Sequence, residues 1–126
     1  MKIAVVMARI LVGLVFVVFG SNTFLHFQNA PLPEGVAGQF IGAMIVSHYV
    51  VAVGACQVIG GVLLLAGRFI PLGLTILGPV IVNILLYHLL MSMAGFPVAL
   101  AVALLWAFLV WRHRANFSGL FAAKTE

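Results

Sequence analysis

Four long apolar runs dominate this sequence, at residues 3–27, 49–67, 69–91 and 96–111. Each is close to or above the roughly 20 residues that a helix needs to cross the hydrocarbon core of a bilayer. Lipid offers no hydrogen bonds to the backbone, so segments of this kind bond their N–H and C=O groups internally as helices. The sequence therefore predicts an all-α, polytopic membrane protein with a bundle of four transmembrane helices.

The basic residues follow one pattern along these runs. They lie near the start of the first run, between the second and the third, and after the fourth, and they are Lys2, Arg9, Arg68, Arg112, Arg114 and Lys124. Basic residues beside membrane spans mark the cytoplasmic side. We therefore expect both termini in the cytoplasm, with the first loop and the turn between the last two spans on the outer side.

The low charge content excludes a soluble domain. Charged residues make up 6% of the chain, against about 25% in soluble domains, so the lipid bilayer is the expected surrounding. The net charge of +4 comes from the basic residues that mark the cytoplasmic side, so no nucleic-acid partner is expected.

A cleaved signal peptide is not expected, because Arg9 lies inside the first run. The short connections predict a single domain over residues 1–126.

The single cysteine, Cys56, excludes an intrachain disulfide, a dithiol redox pair and a cysteine-based zinc site. We expect it to be a small packing residue. The sequence also lacks a nucleotide-binding loop, a haem-attachment motif and paired intramembrane carboxylates. No catalytic residue and no metal site are predicted, so an enzymatic role would require chemistry from a partner.

The first loop contains a predicted short helix. Pro31 and Pro33 prevent helix formation at its start, because each removes a backbone donor and extends the residue before it. Residues 36–46 then carry apolar side chains at helical spacing, with glycine and glutamine on the opposite face. We expect a short amphipathic helix that lies at the outer interface or covers the mouth of the bundle.

Small residues at helical spacing predict where the spans pack together. Gly13 and Gly20 share one face of the first span with Arg9, and Gly61 and Gly54 lie on or near one face of the second. Small side chains let helix backbones approach each other in lipid. These faces are therefore predicted to point into the bundle.

Polar residues within the spans or at their outer ends are costly in lipid and are the candidate ligand-binding residues. They are Arg9, Asn22, His26, Gln57, Asn83 and His88. One interpretation is structural: Arg9 reaches the cytoplasmic headgroups and the others bond neighbouring helices or loops. The other interpretation is a polar ligand site in the outer half of the bundle. There, Phe16, Phe19 and Phe24 would contact the apolar part of the ligand, and a neutral histidine or an amide would donate to its ring oxygen.

Three stretches of the sequence resemble the DoxX-like family of small bacterial four-helix membrane proteins. They are ARILVG at residues 8–13, followed by Phe16, Phe19 and Gly20; VIGGVLLLAGR at residues 58–68; and PVIVNIL at residues 79–85. The resemblance covers nearly the whole chain. It implies a multi-pass protein of the bacterial inner membrane, some of whose relatives are subunits of quinone-linked sulfur-oxidising or oxidative-stress complexes.

The chain departs from that family at two places. Many members carry an acidic residue at the position of Gln57, and a lysine shortly after the glycine that matches Gly20. A role that depends on either group does not transfer to this chain.

Three kinds of function fit these observations. The first is a small accessory subunit of a membrane redox complex, which binds a quinone-like or other apolar ligand and docks a redox partner protein. The second is a small-solute carrier, which would have to form a homo-oligomer because four short helices enclose little pore. The third is a structural or stress-related membrane scaffold. A quinone is the candidate cofactor.

Overall fold

The computed structural model describes residues 1–25 and 31–125. Within these residues the chain forms five α-helices and one 3₁₀ segment and no strand, which confirms the all-α fold. The helices are α1 (Lys2–Leu25), α2 (Gly35–Val46), α3 (Tyr49–Ala66), α4 (Ile70–Leu90) and α5 (Phe96–Arg112), and the 3₁₀ segment is Arg114–Phe121.

Four of the helices coincide with the four apolar runs. α1, α3 and α4 have 24, 18 and 21 residues, and each is long and apolar enough to cross a membrane. α5 has 17 residues, at the lower end of the range of about 17–25 for a span. The chain then bends by 82° into the 3₁₀ segment. The predicted four-helix membrane bundle is confirmed, with α5 as its shortest span.

The four spans form a ring in which each packs against the next, in the order α1, α3, α4, α5 and back to α1. Neighbouring spans are antiparallel, because rising residue numbers on one helix meet falling numbers on the next. The start of α1, the end of α3, the start of α4 and the end of α5 therefore meet at one end of the bundle. We call this the basic end, because it carries Lys2, Arg9, Arg68, Arg112 and Arg114.

Paired glycines bring α1 and α3 to backbone contact. A Cβ on Gly61 would lie 2.8 Å from the carbonyl oxygen of Gly13, and a Cβ on Gly20 would lie 2.8 Å from the carbonyl oxygen of Gly54. One heptad separates the two pairs on each helix, from 13 to 20 and from 54 to 61. The small-residue faces predicted from the sequence therefore form the α1–α3 interface.

The interior between the glycine contacts is filled by apolar side chains. Phe16, Leu64, Leu74, Leu77 and Leu109 are among the largest fully buried ones. Trp106 fixes α5 to α4, because its indole Nε1–H donates to the carbonyl oxygen of Leu74 at 2.9 Å. An indole N–H inside a membrane bundle needs such a partner, since lipid supplies none.

The helix predicted at residues 36–46 is confirmed as α2, which packs against α3. Its Phe40 ring lies 6.0 Å from the ring of Tyr87 on α4. Gly35 and His48 adopt left-handed backbone conformations, with φ of 74° and 64°, so the chain turns sharply where α2 starts and again before α3. α2 therefore covers the end of the bundle opposite the basic end.

Candidate functional site

Two adjoining cavities lie in the half of the bundle next to α2. The larger, of about 790 Å³, lies between α2, α3 and α4. The smaller, of about 300 Å³, lies between α1, α4 and α5. Gln57, Ile84 and His88 line both cavities, and most of the remaining lining is apolar. The two spaces therefore share a wall that contains two polar side chains.

Gln57 lies on α3 at a point where α1 and α3 are in close contact. A Cβ at position 20 of α1 would lie 2.9 Å from the Cβ of Gln57, so the glycine at that position leaves room for the glutamine. Within the described residues Gln57 is partly buried and makes no hydrogen bond. A primary amide carries both donor and acceptor atoms. Gln57 can therefore bond a ligand of either kind.

His88 is held in one orientation by its own helix. Its Nδ1 lies 2.8 Å from the carbonyl oxygen of Ile84. A carbonyl oxygen only accepts, so Nδ1 carries a hydrogen, and in the neutral form of the ring Nε2 is then the acceptor. Nε2 lies 3.3 Å from the position that a Cβ on Gly95 would occupy. Gly95 lines the smaller cavity. The Tyr87 ring contacts the imidazole edge-on at 5.1 Å.

Asn83 and Thr23 line the larger cavity and also donate to their own helices. Asn83 Nδ2 donates to the carbonyl oxygen of Pro79 at 2.8 Å. The hydroxyl of Thr23 donates to the carbonyl oxygen of Gly20 at 2.8 Å. Each residue thus keeps an oxygen that can accept a hydrogen bond from a ligand.

The structure brings together three of the six residues that the sequence suggested. Gln57, Asn83 and His88 line the larger cavity. Asn22 is partly buried on α1 and lines neither cavity. His26 lies outside the described residues.

Arg9 lies at the basic end, away from the cavities. Its Nη1 donates to the carbonyl oxygens of Leu64 at 2.6 Å and Leu65 at 3.4 Å, and the guanidinium lies against Gly67 at the end of α3. The last carbonyls of a helix lack partners within it, and a cation there interacts favourably with the helix dipole. Arg9 therefore faces the protein and caps α3.

Several aromatic residues of the site were not predicted. Phe40 and Tyr87 meet at the larger cavity, and Tyr49 also lines it. The helical spacing of apolar residues in α2 was the available signal, since that apolar face had to cover something. Phe16 and Phe19 line the smaller cavity, as expected for ligand contact, whereas Phe24 is exposed and lines neither.

The arrangement is suited to holding a mostly apolar molecule by one polar part. Its polar atoms are neutral amides, hydroxyls and an imidazole, and they converge from α1, α3 and α4. Among residues 1–25 and 31–125, no three His, Cys, Asp or Glu side chains gather closely enough to hold a metal ion.

Comparison with known proteins supports the resemblance seen in the sequence. The family model DoxX matches residues 4–89, which covers α1 to α4 almost completely and includes Gln57, Asn83 and His88. Comparisons with curated proteins and with solved structures give no match. Because the matched residues make up more than half of the chain, this protein belongs to the DoxX family.

Proposed function

We propose that this protein is an accessory subunit of a membrane redox complex and that it binds a quinone-like molecule in the two cavities. The observation that supports this most directly is the shared wall, where Gln57 and His88 offer polar atoms inside an apolar bundle. Small-molecule sites are mostly apolar cavities of about 300–1,000 Å³ with a few polar groups. The volumes of about 300 and 790 Å³ agree with that description.

A quinone-like molecule combines a polar ring with an apolar chain, and the cavities offer a matching distribution of side chains. In this proposal the ring lies at the shared wall, beside Gln57 and His88. The chain lies in the smaller cavity, where Phe16, Phe19 and Val102 provide an apolar surface. Burying that chain against apolar side chains supplies most of the binding free energy, and the polar wall orients the ring.

The accessory role follows from the chemical groups available in the chain. The sequence has two acidic residues and one cysteine, so a partner protein would have to supply the groups for electron transfer. We place the whole chain, as one unit, in the bacterial inner membrane, with both termini and the basic end in the cytoplasm. α2 and the mouth of the larger cavity then lie on the outer side.

Titration of a quinone analogue into the purified protein tests the binding. We expect saturable binding, and binding of the analogue's hydroquinone form should weaken about tenfold in Gln57→Leu and in His88→Phe, the loss for one hydrogen bond with its desolvation. His113→Phe is the matched control. His113 also bonds its Nδ1 to the carbonyl oxygen one turn earlier, at 2.9 Å, but it lies at the basic end. Absence of binding, or equal binding by all variants, would contradict the proposal.

Purification from native membranes tests the accessory role separately. A dehydrogenase-like protein or a bound quinone retained after mild solubilisation supports it. A stable homo-oligomer that takes up solute in vesicles, with neither of these retained, supports the carrier instead.

A further inference from the structure

Three polar side chains of the cavities have already used donor hydrogens on their own helices. The bonds run from the Thr23 hydroxyl to Gly20, from Asn83 Nδ2 to Pro79 and from His88 Nδ1 to Ile84, each at 2.8 Å. Every partner is a carbonyl oxygen, which can only accept, so chemistry fixes the direction of each bond. What these residues leave for a ligand is mostly acceptors: the Thr23 and Asn83 oxygens and Nε2 of His88.

The other polar residues of the cavities do not change this bias. Gln57, Tyr49 and Tyr87 can donate or accept, so they fit either kind of ligand. The Ser47 hydroxyl, which also lines the larger cavity, donates to the carbonyl oxygen of Met44 at 3.3 Å. Asn83 keeps a second amide hydrogen. Thr23 and, in its neutral form, His88 keep none, so a ligand that bonds either of them must bring the hydrogen.

We infer that the site selects an apolar ring compound that carries a hydroxyl hydrogen, such as a phenol or hydroquinone, over the corresponding quinone or ether. The inference rests on the proposed function and names the chemical class of its ligand. A hydroxyl group donates to Nε2 of His88. A quinone carbonyl in the same place brings its oxygen next to Nε2. Both atoms are acceptors, so neither receives a hydrogen bond, which is costly in an apolar surrounding. The sequence had suggested the reverse direction, with histidine as the donor.

Three probes with the same alkyl chain test this selectivity: a 3-alkylphenol, its methyl ether and the 2-alkyl-1,4-benzoquinone, in which the chain is likewise meta to one oxygen. Binding is measured by calorimetry on the protein in nanodiscs at mildly alkaline pH, where a histidine side chain is neutral. We expect the phenol to bind about tenfold more tightly than either of the others, the effect of leaving an acceptor without a donor in an apolar surrounding. The quinone has no added methyl group, so it separates the missing hydrogen from added bulk.

Variants then assign the selectivity to the named atoms. His88→Phe keeps an aromatic ring but removes Nε2, so the phenol should fall to the affinity of its ether. Asn83→Leu should reduce the preference in part. His113→Phe should leave it unchanged, because His113 makes the same bond to its own helix but does not line the cavities.

The outcomes separate this inference from the proposed function. If none of the probes binds the unmodified protein, the proposed function itself is contradicted. If all three bind equally, or the quinone binds most tightly, the cavities hold a ligand but the selectivity inference is wrong. This comparison needs no variant, so a failure of His88→Phe to fold does not affect it.

Discussion

Replacing Gly61 with alanine tests whether the α1–α3 contact holds the bundle together. The new Cβ would lie 2.8 Å from the carbonyl oxygen of Gly13, 2.8 Å from Val17 Cγ2 and 3.0 Å from the Val17 backbone nitrogen. Two of these three atoms belong to the backbone of α1, which cannot move aside by changing a rotamer. The two helices must therefore separate locally.

The size of the effect is a balance of two terms. Overpacking of this kind costs about 1–3 kcal/mol. Alanine favours a helix over glycine by about 1 kcal/mol, which offsets part of that cost. We expect Gly61→Ala to lower the free energy of unfolding by about 1 kcal/mol, and by no more than about 2 kcal/mol. Gly42→Ala is the control, because the nearest atom to its new Cβ is Leu32 Cδ1 at an ordinary 3.7 Å.

Unfolding in mixed detergent micelles, followed by far-ultraviolet circular dichroism, measures both variants. Gly42→Ala should be neutral or more stable by up to about 1 kcal/mol, since only the helix-propensity term applies. The two substitutions therefore have opposite expected signs although the chemical change is the same. A gain in stability by Gly61→Ala equal to that of Gly42→Ala would show that the backbone contact contributes nothing.

Two further predictions concern the basic end and the orientation. Arg9→Leu should lower the thermal stability of the detergent-solubilised protein, with a loss of about 1–2 kcal/mol for a charge-assisted bond to the end of α3. Arg68→Leu should have little effect, because Arg68 is exposed and makes no side-chain hydrogen bond within the described residues; equal behaviour of the two variants would mean that Arg9 does not cap α3. On a Cys56→Ala background, Glu34→Cys should react with an impermeant thiol reagent from the outer side only and Arg114→Cys from the cytoplasmic side only. Reversed labelling would refute the proposed orientation.

The helices and their packing faces could be predicted because both depend on local periodicity. The apolar runs are long enough to identify the spans. The helix expected at residues 36–46 is found at Gly35–Val46. The positions of Gly13 and Gly61 indicated which faces meet, since small residues have one main use in a membrane interface. Arg9 left two interpretations open, because its partner carbonyls are 55 and 56 residues away in the sequence.

The cavities could not be predicted, because they depend on which helices are neighbours and on how far apart they lie. Helical spacing places Asn83 and His88 about 140° apart around α4, at about 100° per residue, yet both line the larger cavity. The sequence also could not predict the direction of the His88 hydrogen bond, since the position of the Ile84 carbonyl sets it. The residue types therefore predicted that this region is polar, but not whether its side chains donate or accept hydrogen bonds.

If the cavities bind a ligand as we propose, the placement of α2 has a consequence for the speed of its exchange. This 12-residue helix packs chiefly on α3, and a helix of that length is marginally stable without tertiary contacts. If α2 moves away, a route to the larger cavity opens with the loss of few contacts, such as that between Phe40 and Tyr87. Separating α1 from α3 would instead break the interface formed by the paired glycines. Local opening of α2 is therefore the lower barrier. Association and dissociation rates are then set by this short helix, while the spans stay closed and keep the site in shape.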